Sequence, residues 1–341
     1  MRATFITILA LTTAVPAGAQ DRDVHRIVRN AHVHGALARA YQGRDRGPER
    51  TERFSRKVRI GRDGRVSVQN ISGEITVTGG SGDEVSIEAV KRAHGDASQL
   101  ERARIVVDDR SGRVDIRTEY DRDRDNNVSV DYTLTVPTSA SVEVRSISGN
   151  VKVSNVQGSV RAESVSGSVT TSATPRLEAA KSVSGDIDLT NAGTDADLTA
   201  GSVSGSLRAK GLKARGLDLG TVSGDVVLND VSCERLSVKT VSGTVEFSGT
   251  LAKNGRYDLN SHSGNVRLTL AGDTGFVLNA NTFSGSIRSD VPVTIGGDPD
   301  ANRRDDRRRG PVNHTIRATF GDGSASLSVR TFSGDIVIQK R

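Results

Sequence analysis

A Ser-Gly pair returns every 18 to 21 residues through the second half of this 341-residue chain. Its glycines are Gly149, Gly167, Gly185, Gly205, Gly224, Gly243, Gly264 and Gly285, with further copies at Gly73 and Gly334. A constant period of about twenty residues marks a repeat architecture, in which one supersecondary unit cannot bury its apolar face alone and must stack on its neighbours.

Aligned on these pairs, the repeats share one template: apolar, any, apolar, any, Ser or Thr, apolar, Ser, Gly, any, apolar, any, apolar. Residues 142–153 and 217–228 spell it out, and 236–247 and 327–338 repeat it. Strict alternation is a strand signature, because successive side chains point to opposite faces. The parity changes once, at the Ser/Thr three places before the glycine, which predicts two short strands joined at a corner. The expected fold is all-β: a single-stranded parallel β-helix, or β-solenoid, of about 18–21 residues per coil with an N-terminal β-rich cap.

Stacking in register turns equivalent residues into columns. Two places after the glycine stand Val151, Val169, Ile187, Leu207, Val226, Val245, Val266, Ile287 and Ile336. Two places before it stand Ile147, Val165, Val183, Val203, Val222, Val241, His262, Phe283 and Phe332. Both columns are expected inside, and the glycine with them, at a bend too tight for a Cβ. The serine beside the glycine then either bonds the neighbouring coil's backbone or faces outward. This makes Ser148, Ser166, Ser184, Ser204, Ser223 and Ser242 a hydroxyl ladder and the candidate binding residues. One irregularity is Glu178 and Ala180 before Gly185, where the first strand is out of phase by a residue.

The organisation follows from where the beat starts and stops. Residues 1–19 have a positive start, a short apolar stretch and a small-x-small ending, as a signal peptide requires. Residues 20–56 are a basic segment expected to be a flexible arm, and 57–140 alternate without the regular beat and form the expected cap. Around Leu100 the sequence leaves a short helix and a strand both open. Residues 141–341 are the repeats, interrupted by a charged loop at 296–313. The basic character belongs to the N-terminal segment and the late charged loop, since 141–294 hold 15 basic and 15 acidic residues.

The recurring [Ser/Thr]-apolar-Ser-Gly-x-apolar-x-apolar units, with the closing run 323–336 that ends Thr331-Phe332-Ser333-Gly334-Asp335-Ile336, resemble the bacterial β-strand-repeat domains of unknown function labelled "putative adhesins". The resemblance implies an exported β-solenoid with a surface role, and it offers no catalytic motif to carry over.

Chemistry beyond the ladder is sparse. Cys233 is the only cysteine, so the chain cannot form an internal disulfide. His32 and His34 form an H-x-H pair without further ligands to complete a metal site. Neither metal nor cofactor is expected. Asp186, Asp188, Asp225 and Asp335 lack the glycine-rich nine-residue turns of calcium solenoids. The motif G-x-S-x-G does not occur, and no clustered acids break the repeat, so the chain is read as no enzyme. Exposed aromatic platforms for sugars or nucleic acid reduce to Tyr41, Tyr120, Tyr132 and Tyr257, and nucleic acid is not expected.

The resulting expectation is an exported non-enzymatic protein in the periplasm, at the cell surface or outside the cell, without a transmembrane segment. It would be an adhesin-like binding or structural element of the envelope, with a polysaccharide or a surface protein as partner. The alternative is a carbohydrate-active enzyme on a β-helix scaffold, with Asp186 and Asp188 as its acids.

Overall fold

The alternating segments form strands, and each pairs in parallel with its counterpart one repeat on. The computed structural model describes residues 48–121, 127–292, 294–295 and 314–341. The signal-peptide residues 1–19, most of the basic segment and the loop 296–313 lie outside the described residues. Strand Ser141–Ser148 pairs with Val160–Ser166, and Val151–Ser154 with Val169–Ser172. Val142 faces Val160 and Val151 faces Val169, so like residues stack in columns. Farther along, Val226–Ser242 and Val245–Ser263 run through their bends as continuous strands, with register shifts at the turns.

The protein is all-β with a solenoid-like repeated sheet, but the sheet is mixed rather than uniformly parallel. Glu49–Arg59 runs antiparallel to Glu84–His94, which itself runs antiparallel to Ser129–Pro137. The strand 49–59 begins inside the segment expected to be a flexible arm, so ordered sheet starts before residue 57. Around Leu100 both expected forms occur in succession: a 3-10 turn at Ala97–Arg102, then a strand at Ala103–Arg110. That strand pairs antiparallel with Arg113–Tyr120.

Near the C-terminus, spatial order departs from chain order. Strand Ala325–Ser333 lies between Val245–Ser263 and Phe276–Ser284, parallel to both. Ile336–Lys340 lies likewise between Val266–Ala271 and Ile287–Ser289. Phe276–Ser284 also pairs antiparallel with His314–Phe320. The last repeat in sequence is thus the penultimate rung in space, and Phe332 stands between His262 and Phe283.

The interior is aliphatic. The column two places after the glycine is inside as expected, with Val151, Val169, Ile187, Leu207, Val226, Val245, Val266 and Ile336 buried. Each such side chain contributes about 1.5–3 kcal/mol. The out-of-phase repeat is a bulge: the register slips between Val160/Arg161 and Leu177/Ala179, and the extra residue, Glu178, turns outward. There it accepts from Ser159 Oγ at 2.5 Å and Arg161 Nε at 2.6 Å.

The corner corrects the expected parity. The Ser/Thr three places before the glycine is buried at Ser164, Ser182, Ser202, Thr221, Thr240, Ser261, Thr331 and Thr282. Its hydroxyl donates to the carbonyl of the corner glycine on the neighbouring rung, as in Ser182 Oγ to Gly167 O at 2.9 Å and Ser202 Oγ to Gly185 O at 2.9 Å. Thr331 reaches Gly264 O at 3.1 Å and Thr282 reaches Gly334 O at 3.0 Å, following spatial rather than chain order. With the hydroxyl inside, the parity change falls one residue later. Ile147, Val165, Val183, Val203, Val222 and Val241, expected in the core, are therefore exposed, Val183 by 45%. Phe283 and Phe332 are exposed too, as is His262.

Glycine is required because rungs touch there, rather than because the interior is narrow. A Cβ on Gly224 would lie 2.2 Å from the carbonyl oxygen of Gly205, and one on Gly149 would lie 2.0 Å from that of Gly73. The same carbonyl takes the hydroxyl bond, so two template positions serve one contact. Ser146 is the exception: its buried hydroxyl has no partner, and Asn70 Nδ2 donates to Gly73 O at 3.3 Å.

Removing the corner hydroxyl should cost more than removing its exposed neighbour. Ser202→Ala is expected to lower unfolding free energy by about 1–2 kcal/mol, whereas Ser204→Ala stays within about 0.5 kcal/mol of the parent. Urea denaturation of the two variants measures the difference.

Candidate functional site

Each corner projects two adjacent residues outward, and stacking turns them into a double column. One column is the predicted serine ladder. Ser148 pairs in register with Ser166, and Ser204, Ser223 and Ser242 follow one another. Ser184 joins them through its amide bond to Val165 O at 2.8 Å, as Ser204 does to Val183 O. All six serines are exposed, and among the described residues none of their hydroxyls has a hydrogen-bond partner within the chain.

The second column was missed from sequence. In spatial order it runs Ile71, Ile147, Val165, Val183, Val203, Val222, Val241, His262, Phe332 and Phe283. The aromatic end is stacked: His262 lies 5.1 Å from Phe332 at 10°, and Phe332 lies 4.7 Å from Phe283 at 7°. The usable signal was the Ser/Thr itself. A hydroxyl at a strand position in phase with Val142 and Val144 marks an inward site with a backbone partner, and pushes the next apolar residue outside.

Beside two stretches of this ridge lies a concavity. Its floor is the buried hydroxyl column and its far wall is the residue four places before each glycine. Between Ile71 and Val203 the groove encloses about 890 Å³, with Arg145, Glu163 and Lys181 on the wall. A second stretch of about 470 Å³ lies beside the aromatic stack, with Asn260, Arg330 and Asn281. Arg145 is held by Glu143 at 2.8 Å and Glu163 at 3.4 Å. Lys181, Lys239 and Arg330 have no ion-pair partner among the described residues. The wall is therefore net basic.

On the other side of the corner, the residue after the glycine is Asn or Asp on many rungs, and its side-chain oxygen caps the next rung's amide. Asn150 Oδ1 accepts from Ser168 N at 2.9 Å, Asp186 from Ser206 N at 2.8 Å, Asp225 from Thr244 N at 2.8 Å and Asp335 from Ser286 N at 2.7 Å. The Ser206 amide, followed by the Arg208 guanidinium, holds Asp186 below the ordinary carboxylate range. Asp188, the other acid of the catalytic alternative, lies 3.9 Å from the same guanidinium, and Asp186 lies at 3.0 Å. These carboxylates build an ion pair at the corner.

The remaining candidates separate. His32, His34 and Tyr41 lie outside the described residues. Tyr132 and Tyr257 are buried rather than exposed. Tyr257 Oη accepts from Ala252 N at 2.7 Å and donates to Cys233 O at 2.6 Å. Burial pushes the Tyr257 phenol and the Cys233 thiol each up to about 12. Among the described residues, no three of His, Cys, Asp and Glu gather where they could hold a metal ion. No helix among them is long and apolar enough to cross a membrane.

A family model described as Toastrack DUF4097 matches residues 133–339. Among solved structures, a "putative adhesin" from Bacteroides fragilis NCTC 9343 is 11% identical, with a TM-score of 0.43, over 84% of this chain and 96% of that one. A "putative cell adhesion protein" from Clostridium sporogenes ATCC 15579 is 10% identical, with a TM-score of 0.23, over 86% and 100%. A "putative lipid binding protein" from Parabacteroides distasonis ATCC 8503 is 10% identical, with a TM-score of 0.32, over 84% and 97%. No match is found among the curated proteins.

The Asp186 carboxylate gives a pH signature. Its folded value is depressed, so its stabilisation is full above the unfolded value near 4 and is lost as pH falls through the lower folded value. Asp186→Asn keeps the accepting oxygen, as Asn150 shows, but cannot titrate. Between pH 5 and pH 2 the variant is expected to lose less stability than the parent, by urea denaturation at each pH.

Proposed function

The chain belongs to the Toastrack DUF4097 family, and from that premise we propose an exported, non-enzymatic, adhesin-like protein that binds or scaffolds at the cell envelope. In this reading the repeats wind as a parallel β-helix closed by antiparallel strands, and the ridge at the corner is the interaction face. The observation that carries it is the ridge's continuity: ten rungs in succession expose a large side chain beside a serine. A lone exposed valine needs no explanation, but a continuous row of large side chains, nine of the ten apolar, is a mark of an interaction surface. Identical sites spaced about 4.8 Å apart suit a long or repeated partner, such as an envelope polysaccharide or a surface protein, engaged through many weak contacts.

The arrangement supports binding over turnover. Among the described residues the ladder hydroxyls have no hydrogen-bond partner that could act as a base, and Asp186 and Asp188 converge on Arg208. A nucleophile without a base and acids already paired with a guanidinium are poor catalytic equipment. Export accords with the pattern of residues 1–19.

Replacing Ser166, Ser204 and Ser242 together by Glu should reduce retention of the tagged protein on isolated envelopes at least tenfold. Thermal unfolding should shift little, because all three positions are exposed. Undiminished retention in the folded triple variant would contradict the reading.

A further inference from the structure

We infer that the ridge binds a second copy of this chain, along a two-fold axis parallel to the stack, each ridge lying in the other's groove. The inference rests on the reading of the ridge as the interaction face and names its partner.

Period is the first argument. A rung-by-rung surface meets its best complement in a surface of the same spacing, about 4.8 Å, and the same number of rungs, and this chain carries both. The second is shape, because each copy presents a convex row immediately beside a concave one. An isologous pairing can then fill both grooves at once, with each valine next to its own counterpart.

The third is charge. With the axis parallel to the stack, the basic wall of one copy meets the other copy's corner residues on the same rung. Lys181, which has no ion-pair partner among the described residues, shares its rung with Asp186, and Arg330 shares its rung with Asp335. An axis across the stack would instead set basic wall against basic wall. The fourth is area. Nine apolar side chains exposed by 37–51% present on the order of 600 Å². The adjoining serines and wall stems bring this to the roughly 800 Å² per partner of a standard interface.

Sedimentation equilibrium of the full mature chain at micromolar concentration should show a dimer that weakens as salt rises. Val183→Lys with Val222→Lys should raise the dissociation constant at least tenfold without changing the melting temperature of the diluted protein. Val203→Cys should form an intermolecular disulfide on mild oxidation, while Lys210→Cys, exposed but off the ridge, should not; the native Cys233 is buried. A parent that stays monomeric at 100-fold higher concentration would overturn the inference, as would a dimer indifferent to the paired lysines or equal crosslinking at both cysteines. A monomer that still binds envelopes would overturn this pairing alone and leave the envelope role standing.

Discussion

The fold depends on the contact between a buried hydroxyl and the carbonyl of a glycine one rung away. Parallel strands of similar sequence can slip, and a slip of one residue exchanges the faces of a strand. Here the slip is opposed at nearly every corner, the one at Ser146 excepted. Ser182, Ser202 and Thr221 each reach one carbonyl, and that same carbonyl oxygen leaves no space for a Cβ on the glycine of the hydroxyl's own rung. The hydrogen bond specifies register, while the aliphatic columns supply most of the free energy.

The ridge is a consequence of that contact. Once the hydroxyl takes the last inward place on its strand, the following residue must project outward, whatever its type. A valine there is no help to the core of its own chain. Its repetition across rungs, ending in the stack of His262, Phe332 and Phe283, is what links a folding device to an interaction face. The flanks differ in charge for equally local reasons: the wall carries Lys181 and Arg330 without ion-pair partners among the described residues, while Asp186 and Asp335 are drawn to the corner by the amides they cap.

Much of this was legible in the sequence. The period gave the repeat, alternation gave the strands, and the six ladder serines are exposed in one line. The misplacement of Ile147 and its equivalents has a definite cause: apolar character alone reads as burial, and the Ser/Thr reads as the corner itself. A buried serine with a backbone partner is as inward as a valine. The order of the last rungs was not legible, because the template at 327–338 fits a rung equally well at either place in the stack. Nothing in local pattern reveals that Phe332 stands between His262 and Phe283.

The central claim concerns which of two adjacent residues faces inward, and thiol reactivity reads it directly. Cys233 is buried, with its thiol pushed up to about 12, so the parent should be silent to a maleimide. At nanomolar protein, which keeps copies apart, Val222→Cys should label quickly and Thr221→Cys should stay protected until the protein unfolds. Rapid labelling at 221 with protection at 222 would contradict the account.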